Sequence, residues 1–192
     1  LNEPDQSYGG AVWIDAVPQL TGANIPFVIR LRVVLLRDTG APLAPFNAWQ
    51  IIQGLETVGL RMKQHCSNAE KVVTFLETQK KVQNVIYPTN HQGEIKERAL
   101  KYMKGGYGSL VGMDVGTKEN GAKFINNLKM LYHVANIGDA RSLAIHPATT
   151  THSQLNDKEL LAAGVTPGYV RLSIGIEHPD DIIADIKQAL AA

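Results

Sequence analysis

The chain has 192 residues, 44% of them hydrophobic and 19% charged, with a formal net charge of +1. That length is enough for a domain with a real core, and the charge balance argues against a nucleic-acid or membrane partner. The single cysteine excludes an internal disulfide and fits a reducing, cytoplasmic setting, and no apolar run approaches the roughly 20 residues that span a bilayer.

The opening segment "LNEPDQSYGG" is polar and turn-rich, unlike a signal peptide. It begins with Leu1 rather than Met, which suggests a processed or truncated chain. Residues 1–24 read as a loop, punctuated by Pro4, Gly9, Gly10, Pro18 and Gly22. "IPFVIRLRVVLLRDTG" reads as a helix that Pro26 opens and Gly40 stops. After "APLAPFNAW", apolar residues step by threes and fours from Trp49 through Leu55, Met62, Cys66, Ala69 and Val73 to Leu76. This stripe predicts one continuous helix of about 30 residues, a spine between two parts of a larger molecule. Either Asn47 with Gln50 or Pro45 would start it.

Beyond the spine the pattern changes. Residues 81–88 read as a strand, 89–107 as a loop with about one helical turn, and "SLVGMDVG" (109–116) as a strand. A helix is predicted over 118–131, with Phe124, Leu128 and Leu131 inward. Short strands follow at 132–135 and 142–146. "NDKELLAAG" is a compact helix capped by Asn156 and Glu159 and ended by Gly164. "YVRLSIG" is a strand, and "HPDDIIADIKQALAA" a closing helix with acidic residues near its positive end. Strands and helices mix without strict βαβ regularity, so the fold class is α+β, with flanking helices on a mixed or antiparallel sheet.

Period-two alternation places Val170, Leu172 and Ile174 on one face of the "VRLS" strand and Arg171, Ser173 and Gly175 on the other. A guanidinium in that setting needs a partner: either a structural carboxylate such as Glu177, or the carboxylate of a ligand. The stretch "IGDARSLAIHPATTTHSQL" (137–155) gathers hydroxyls around His146 and His152. Its spacing suits neither a metal site nor a nucleophile elbow. Ser142, His146 and Asp139 could compose a triad by type alone, but a loop satisfying its own backbone through side-chain bonds is the plainer reading. Cys66 sits on the apolar stripe and reads as a core thiol.

Several of these motifs together resemble one family. "APFNAWQIIQGLETVGLRMKQHCSNAEKV", "GDARSLAIHPATTTHSQL" and "LLAAGVTPGYVRLSIGIEHPDDIIADIKQAL" closely resemble the carboxyl-terminal part of the Cys/Met-metabolism family of pyridoxal-phosphate (PLP) enzymes. "PDQSYGG" is similar to the family's segment shortly after the cofactor lysine. Within the family the likeness is greatest to the branch that acts on O-acetylhomoserine; the cystathionine γ-synthase and methionine γ-lyase branches stay open. The resemblance implies a small carboxyl-terminal domain of a fold-type I PLP-dependent transferase. Residues 1–45 would be the tail of the large PLP-binding domain, 46–80 the spine, and 81–192 the carboxyl-terminal α/β domain.

The resemblance also implies roles. Arg171 would bind the substrate α-carboxylate, Asn136 would lie at the same end of the substrate, and Thr151 would stand near the active site, with the hydroxyl-rich loop as one wall of the pocket. The implied reaction is γ-replacement on an amino acid held by PLP, yielding homocysteine or methionine, in a cytoplasmic enzyme that is a homotetramer when whole.

One departure matters. The family's cofactor lysine lies in an "S-x-T-K" segment, which is absent here; "VGTKENG" only looks similar, and Lys118 reads as a surface residue at a helix start. The implied arrangement is a missing amino-terminal half that carries the lysine, and an isolated chain that folds but is inert. The rival reading is a non-catalytic binding or assembly module.

Overall fold

The computed structural model describes all residues, Leu1–Ala192. They form two compact units, Leu1–Leu55 and Glu56–Ala192.

In the first unit, β1 (Pro4–Asp5) and β2 (Ala11–Val12) pair antiparallel. The Trp13 indole N–H donates to Asp5 at 2.9 Å, and Tyr8 stacks edge-on against the same ring. The rest of this stretch is not the expected loop. α1 (Trp13–Thr21) is helical despite Pro18 in its interior. Trp13 and Val17, one turn apart, are both buried, and this packing outweighs the single backbone bond that a proline removes. Gly22, with φ 70°, closes the helix.

The second helical stretch starts at Pro26 and stops at Gly40 (φ 63°), as the sequence predicts. It is not uniform: α2 (Pro26–Arg30) passes through a π-helical segment, Leu31–Leu36, into α3 (Arg37–Thr39).

The expected continuous spine is instead two helices, α4 (Pro45–Glu56) and α5 (Val58–Glu77). Thr57 interrupts them with φ −105° and ψ 2°, close to the sparsely allowed bridge region. A β-branched residue between Gly54 and Gly59 is the weakest helical stretch of this run. Pro45 opens α4. The apolar stripe is buried only on α5, at Cys66, Ala69, Val73 and Leu76, whereas Trp49, Ile52 and Leu55 are exposed.

The second unit is built on a five-stranded sheet: β3 (Asn84–Ile86), β4 (Leu110–Asp114), β5 (Tyr132–His133), β6 (Leu143–Ile145) and β7 (Tyr169–Ser173). The strand order is β3-β4-β7-β6-β5, antiparallel except for the parallel β5–β6 pair. β7 is therefore the central strand. Its Val170 and Leu172, with Ile174 just beyond, are completely buried. They join Val111, Met113 and Ala144 in a core closed by α5, α7 (Lys118–Asn127) and α9 (Pro179–Ala191). Each of these side chains larger than alanine contributes about 1.5–3 kcal/mol of burial free energy.

The buried carboxylate of Asp185 on α9 accepts the backbone N–H groups of Lys129, Met130 and Leu131 at 2.9–3.0 Å. It thereby ties the end of α7 to the start of β5.

Residues 89–107 also depart from expectation, since α6 (Gly93–Tyr102) is a full helix. It buries only Ala99, so core packing contributes little to holding it. The Glu94–Arg98 ion pair one turn apart supports it instead. α8 (Asp157–Ala162) forms the predicted capping box between Asn156 and Glu159. No single helix is long and apolar enough to cross a membrane.

Candidate functional site

The face of the sheet opposite the core carries Arg171. Antiparallel register sets Gly112 of β4 and Ile145 of β6 directly beside it, and cross-strand partners share a face. This face borders a cavity of about 490 Å³. Its walls are largely apolar, among them Ile86, Met103, Leu110 and Tyr169, with His91, Arg98 and Arg171 as the ionisable groups that could orient a ligand. Gly112 is there for space. A Cβ at that position would lie 2.7 Å from the Tyr169 ring and 3.1 Å from Ile86. Burial raises the Tyr169 phenol above its ordinary pKa, so it stays protonated at neutral pH; the nearby Arg171 charge pulls the other way.

The guanidinium is incompletely satisfied. Nη2 donates to the Asn136 carbonyl oxygen at 3.3 Å. Nε is buried and has no partner. Arg171 takes part in none of the chain's ion pairs. A buried charged N–H left without an acceptor is costly, and a carboxylate supplies the fork that a guanidinium matches. The site therefore suits a ligand with a carboxylate end.

The structural counter-ion that the sequence offers, Glu177, is engaged elsewhere. Its carboxylate accepts the Ser142 backbone N–H at 2.6 Å and the Ser142 hydroxyl at 2.9 Å.

Of the three expected site residues, Arg171 and Asn136 meet, though through the Asn136 backbone rather than its side chain. Thr151 does not join them. It is exposed, its hydroxyl lies 2.9 Å from His152 Nδ1, and it is outside the Arg171 cavity. Its expected role gains no support from this position.

The neighbouring hydroxyls turn inward on their own segment: Thr150 donates to the His146 carbonyl at 2.8 Å, and the Thr149 hydroxyl faces the His146 ring. His146 is completely buried, with Nε2 2.8 Å from the Pro167 carbonyl and Nδ1 2.9 Å from the Thr149 hydroxyl. A carbonyl only accepts, so Nε2 carries the proton. Burial holds the imidazole below its ordinary pKa, partly offset by the Pro167 bond, with Lys118 and His133 adding to the lowering.

Ser142, His146 and Asp139 each have separate partners, because Asp139 accepts from the Arg141 N–H. They form no triad. Cys66 is a buried thiol against Gly106, and Lys118 is exposed in the first turn of α7.

Sequence reading overlooked Gly112 and Tyr169 beside the arginine. It also overlooked the pair on α5 that supports the end of β7. His65 Nδ1 lies 2.6 Å from the Ile174 carbonyl, and the Asn68 amide donates to the Gly175 and Glu177 carbonyls at 3.0 and 2.8 Å.

A mixed sheet with α5, α7 and α9 on its core face and Arg171 on the other is an architecture this chain shares with a PLP-dependent enzyme of known structure. A Campylobacter jejuni protein assigned as an O-acetylhomoserine (thiol)-lyase, solved with a pyridoxyl-lysine phosphate, superposes with a TM-score of 0.84 at 41% identity. The match covers 100% of this chain and 44% of that one. Residues 9–191 match the Cys/Met metabolism PLP-dependent enzyme model, and the chain belongs to that family. It is 47% identical to the O-acetyl-L-homoserine sulfhydrylase of Leptospira meyeri, over 99% of this chain and 44% of the relative. It is 42% identical to the homocysteine synthase of Schizosaccharomyces pombe, over 99% of this chain and 43% of the relative. The chain thus spans less than half the length of these relatives.

Proposed function

We propose that this chain is the carboxyl-terminal part of an O-acetylhomoserine sulfhydrylase, which replaces the γ-acetate of O-acetylhomoserine with sulfide or methanethiol to give homocysteine or methionine. The observation that carries the reading is the buried, unpartnered Arg171 Nε beside an apolar cavity. PLP, when bound, supplies the electron sink for the bond changes on the amino acid.

This chain's contribution is binding and orientation. Arg171 grips the α-carboxylate with Nε and its remaining N–H groups, while the Asn136 carbonyl fixes Nη2. The apolar walls exclude water from the pair and so strengthen it. No lysine lines this cavity. These residues therefore fit the acid end of the amino acid, and the Schiff-base lysine would come from the remaining part of the enzyme. Positioning of this kind lowers the barrier but does not replace the covalent partner of the cofactor.

Arg171→Lys in the whole enzyme tests the assignment. Lysine keeps the charge but loses the fork, so KM for O-acetylhomoserine rises roughly 10- to 100-fold, as expected for a charged hydrogen bond lost. An unchanged KM would overturn the role. The chain alone, mixed with PLP and desalted, is expected to retain no Schiff-base absorbance and to turn over no O-acetylhomoserine with sulfide. Turnover by the chain alone would refute that division of labour.

A further inference from the structure

Residues Asn136–Arg141 are all exposed and lie outside any helix or strand. Yet this loop holds the carbonyl that touches Arg171. It is fixed to the end of β7 at three points. The Gly138 N–H donates to the Ser173 hydroxyl at 3.3 Å, and the Ile176 N–H donates to the Ala140 carbonyl at 2.9 Å. The third point is a pair of hydrogen bonds that the Ser142 N–H and hydroxyl donate to Glu177, at 2.6 and 2.9 Å, and it is the only one of the three made to a carboxylate. Ser142 is completely buried, and its hydroxyl also accepts the Gly175 N–H at 2.9 Å. The fit leaves no slack: a Cβ at Gly175 would collide with Glu177 Oε2, the Ala140 carbonyl and the Arg141 backbone. From the other side, His65 and Asn68 of α5 hold the Ile174, Gly175 and Glu177 carbonyls.

We propose that Glu177 is a positioning residue for the Arg171 clamp. It holds the 136–142 loop against the end of β7 and so places the Asn136 carbonyl on Nη2. The same two bonds occupy both carboxylate oxygens, so the acid six residues from Arg171 does not compete for the fork that the substrate needs. Glu177 touches neither substrate nor cofactor in this scheme; it acts through the loop. The inference rests on the carboxylate-binding role proposed for Arg171.

The test uses the whole enzyme with Glu177→Ala, Glu177→Gln, Ser142→Ala and Arg171→Lys side by side. Glu177→Ala loses both acceptors, and KM for O-acetylhomoserine is expected to rise roughly tenfold or more, on the scale of a lost charge-assisted bond, while kcat changes less than about threefold, because binding uniform to ground and transition states is what is lost. Glu177→Gln keeps one acceptor oxygen for the Ser142 N–H and recovers part of the affinity. Ser142→Ala, which removes only the hydroxyl, gives an intermediate rise.

Amide hydrogen exchange supplies a readout independent of turnover. Protection at Gly138 and Ser142 falls in Glu177→Ala and partly returns in Glu177→Gln. If Glu177→Ala does not fold, Glu177→Gln and Ser142→Ala carry the test alone. A raised KM in Arg171→Lys with no change in either of those two variants would overturn the role of Glu177 and leave the clamp intact. An unchanged KM in Arg171→Lys would instead remove the clamp itself.

Discussion

Asp185→Asn is the change that the second unit should feel most sharply. Asp185 is 7% exposed, and its carboxylate accepts four hydrogen bonds. Oδ1 takes Lys129 N–H at 2.9 Å and the Gln188 amide at 3.0 Å, and Oδ2 takes Met130 and Leu131 N–H at 2.9 and 3.0 Å. Asparagine offers one oxygen and, in place of the other, an NH2 group that only donates. Its oxygen would serve Met130 and Leu131, leaving the Lys129 N–H facing another N–H; the Gln188 amide is also tied to the Asn127 carbonyl and cannot turn freely. Losing bonds to a charged acceptor and stranding a buried donor costs about 3 kcal/mol. With urea m-values of about 1–3 kcal/mol/M, the midpoint should fall by roughly 1–3 M.

The pH dependence gives a second check. Burial alone would raise the Asp185 pKa, but the three backbone bonds and Gln188 outweigh it, and the net shift is downward. A depressed folded pKa means stability that is fully present above the ordinary aspartate value, about 3.9, and lost as pH falls from there through the folded value. The gap between wild type and Asp185→Asn is therefore constant near neutrality and narrows only below about pH 4. A midpoint shift under about 0.3 M, or a gap that does not narrow in acid, would refute the argument.

His146 gives a different window. Its folded pKa is depressed chiefly by burial, so its contribution is present above about pH 6.5 and lost as pH falls through the folded value; His146→Gln should flatten that part of the melting-temperature profile. Gly112→Ala would press a methyl group into the Tyr169 ring and Ile86. Overpacking of this kind costs about 1–3 kcal/mol, so a lower denaturation midpoint is expected, and it should be accompanied in the whole enzyme by a raised KM because Arg171 lies opposite.

Much of the fold was legible because its signals are local. The alternation around Arg171 matches three fully buried side chains on one face. Gly40 and the Asn156–Glu159 box act within one turn. The misses are places where a local rule lost to something distant or weak. Pro18 is a breaker by type, but Trp13 and Val17 are anchored in the core of their unit. The π-helical turns at Leu31–Leu36 leave the apolar composition unchanged. The break at Thr57 preserves the spacing on both sides, so the stripe runs on while the helix does not. On α6, Ile95, Ala99 and Tyr102 do recur at helical spacing, but three apolar residues among the charges and glycines of 89–107 are a short signal for a full helix.

The site divides along the same line. Arg171 announces itself, because a guanidinium inside an apolar strand must have a partner. Which partner is a question of contacts between residues 35 positions apart for Asn136 and Glu177–Ser142, and 107–109 apart for the α5 supports. Separations of that size leave no periodic trace. Proximity in sequence in fact points the wrong way: Glu177 lies closest to Arg171 along the chain, yet both its oxygens are bonded to Ser142. Had that pair formed instead, the arginine would be a satisfied structural cation and the Asn136 loop would lose one of its three anchors. Engaging the acid with Ser142 thus does two things at once: it builds the loop that steadies the guanidinium, and it leaves the buried N–H open to a carboxylate from outside the chain.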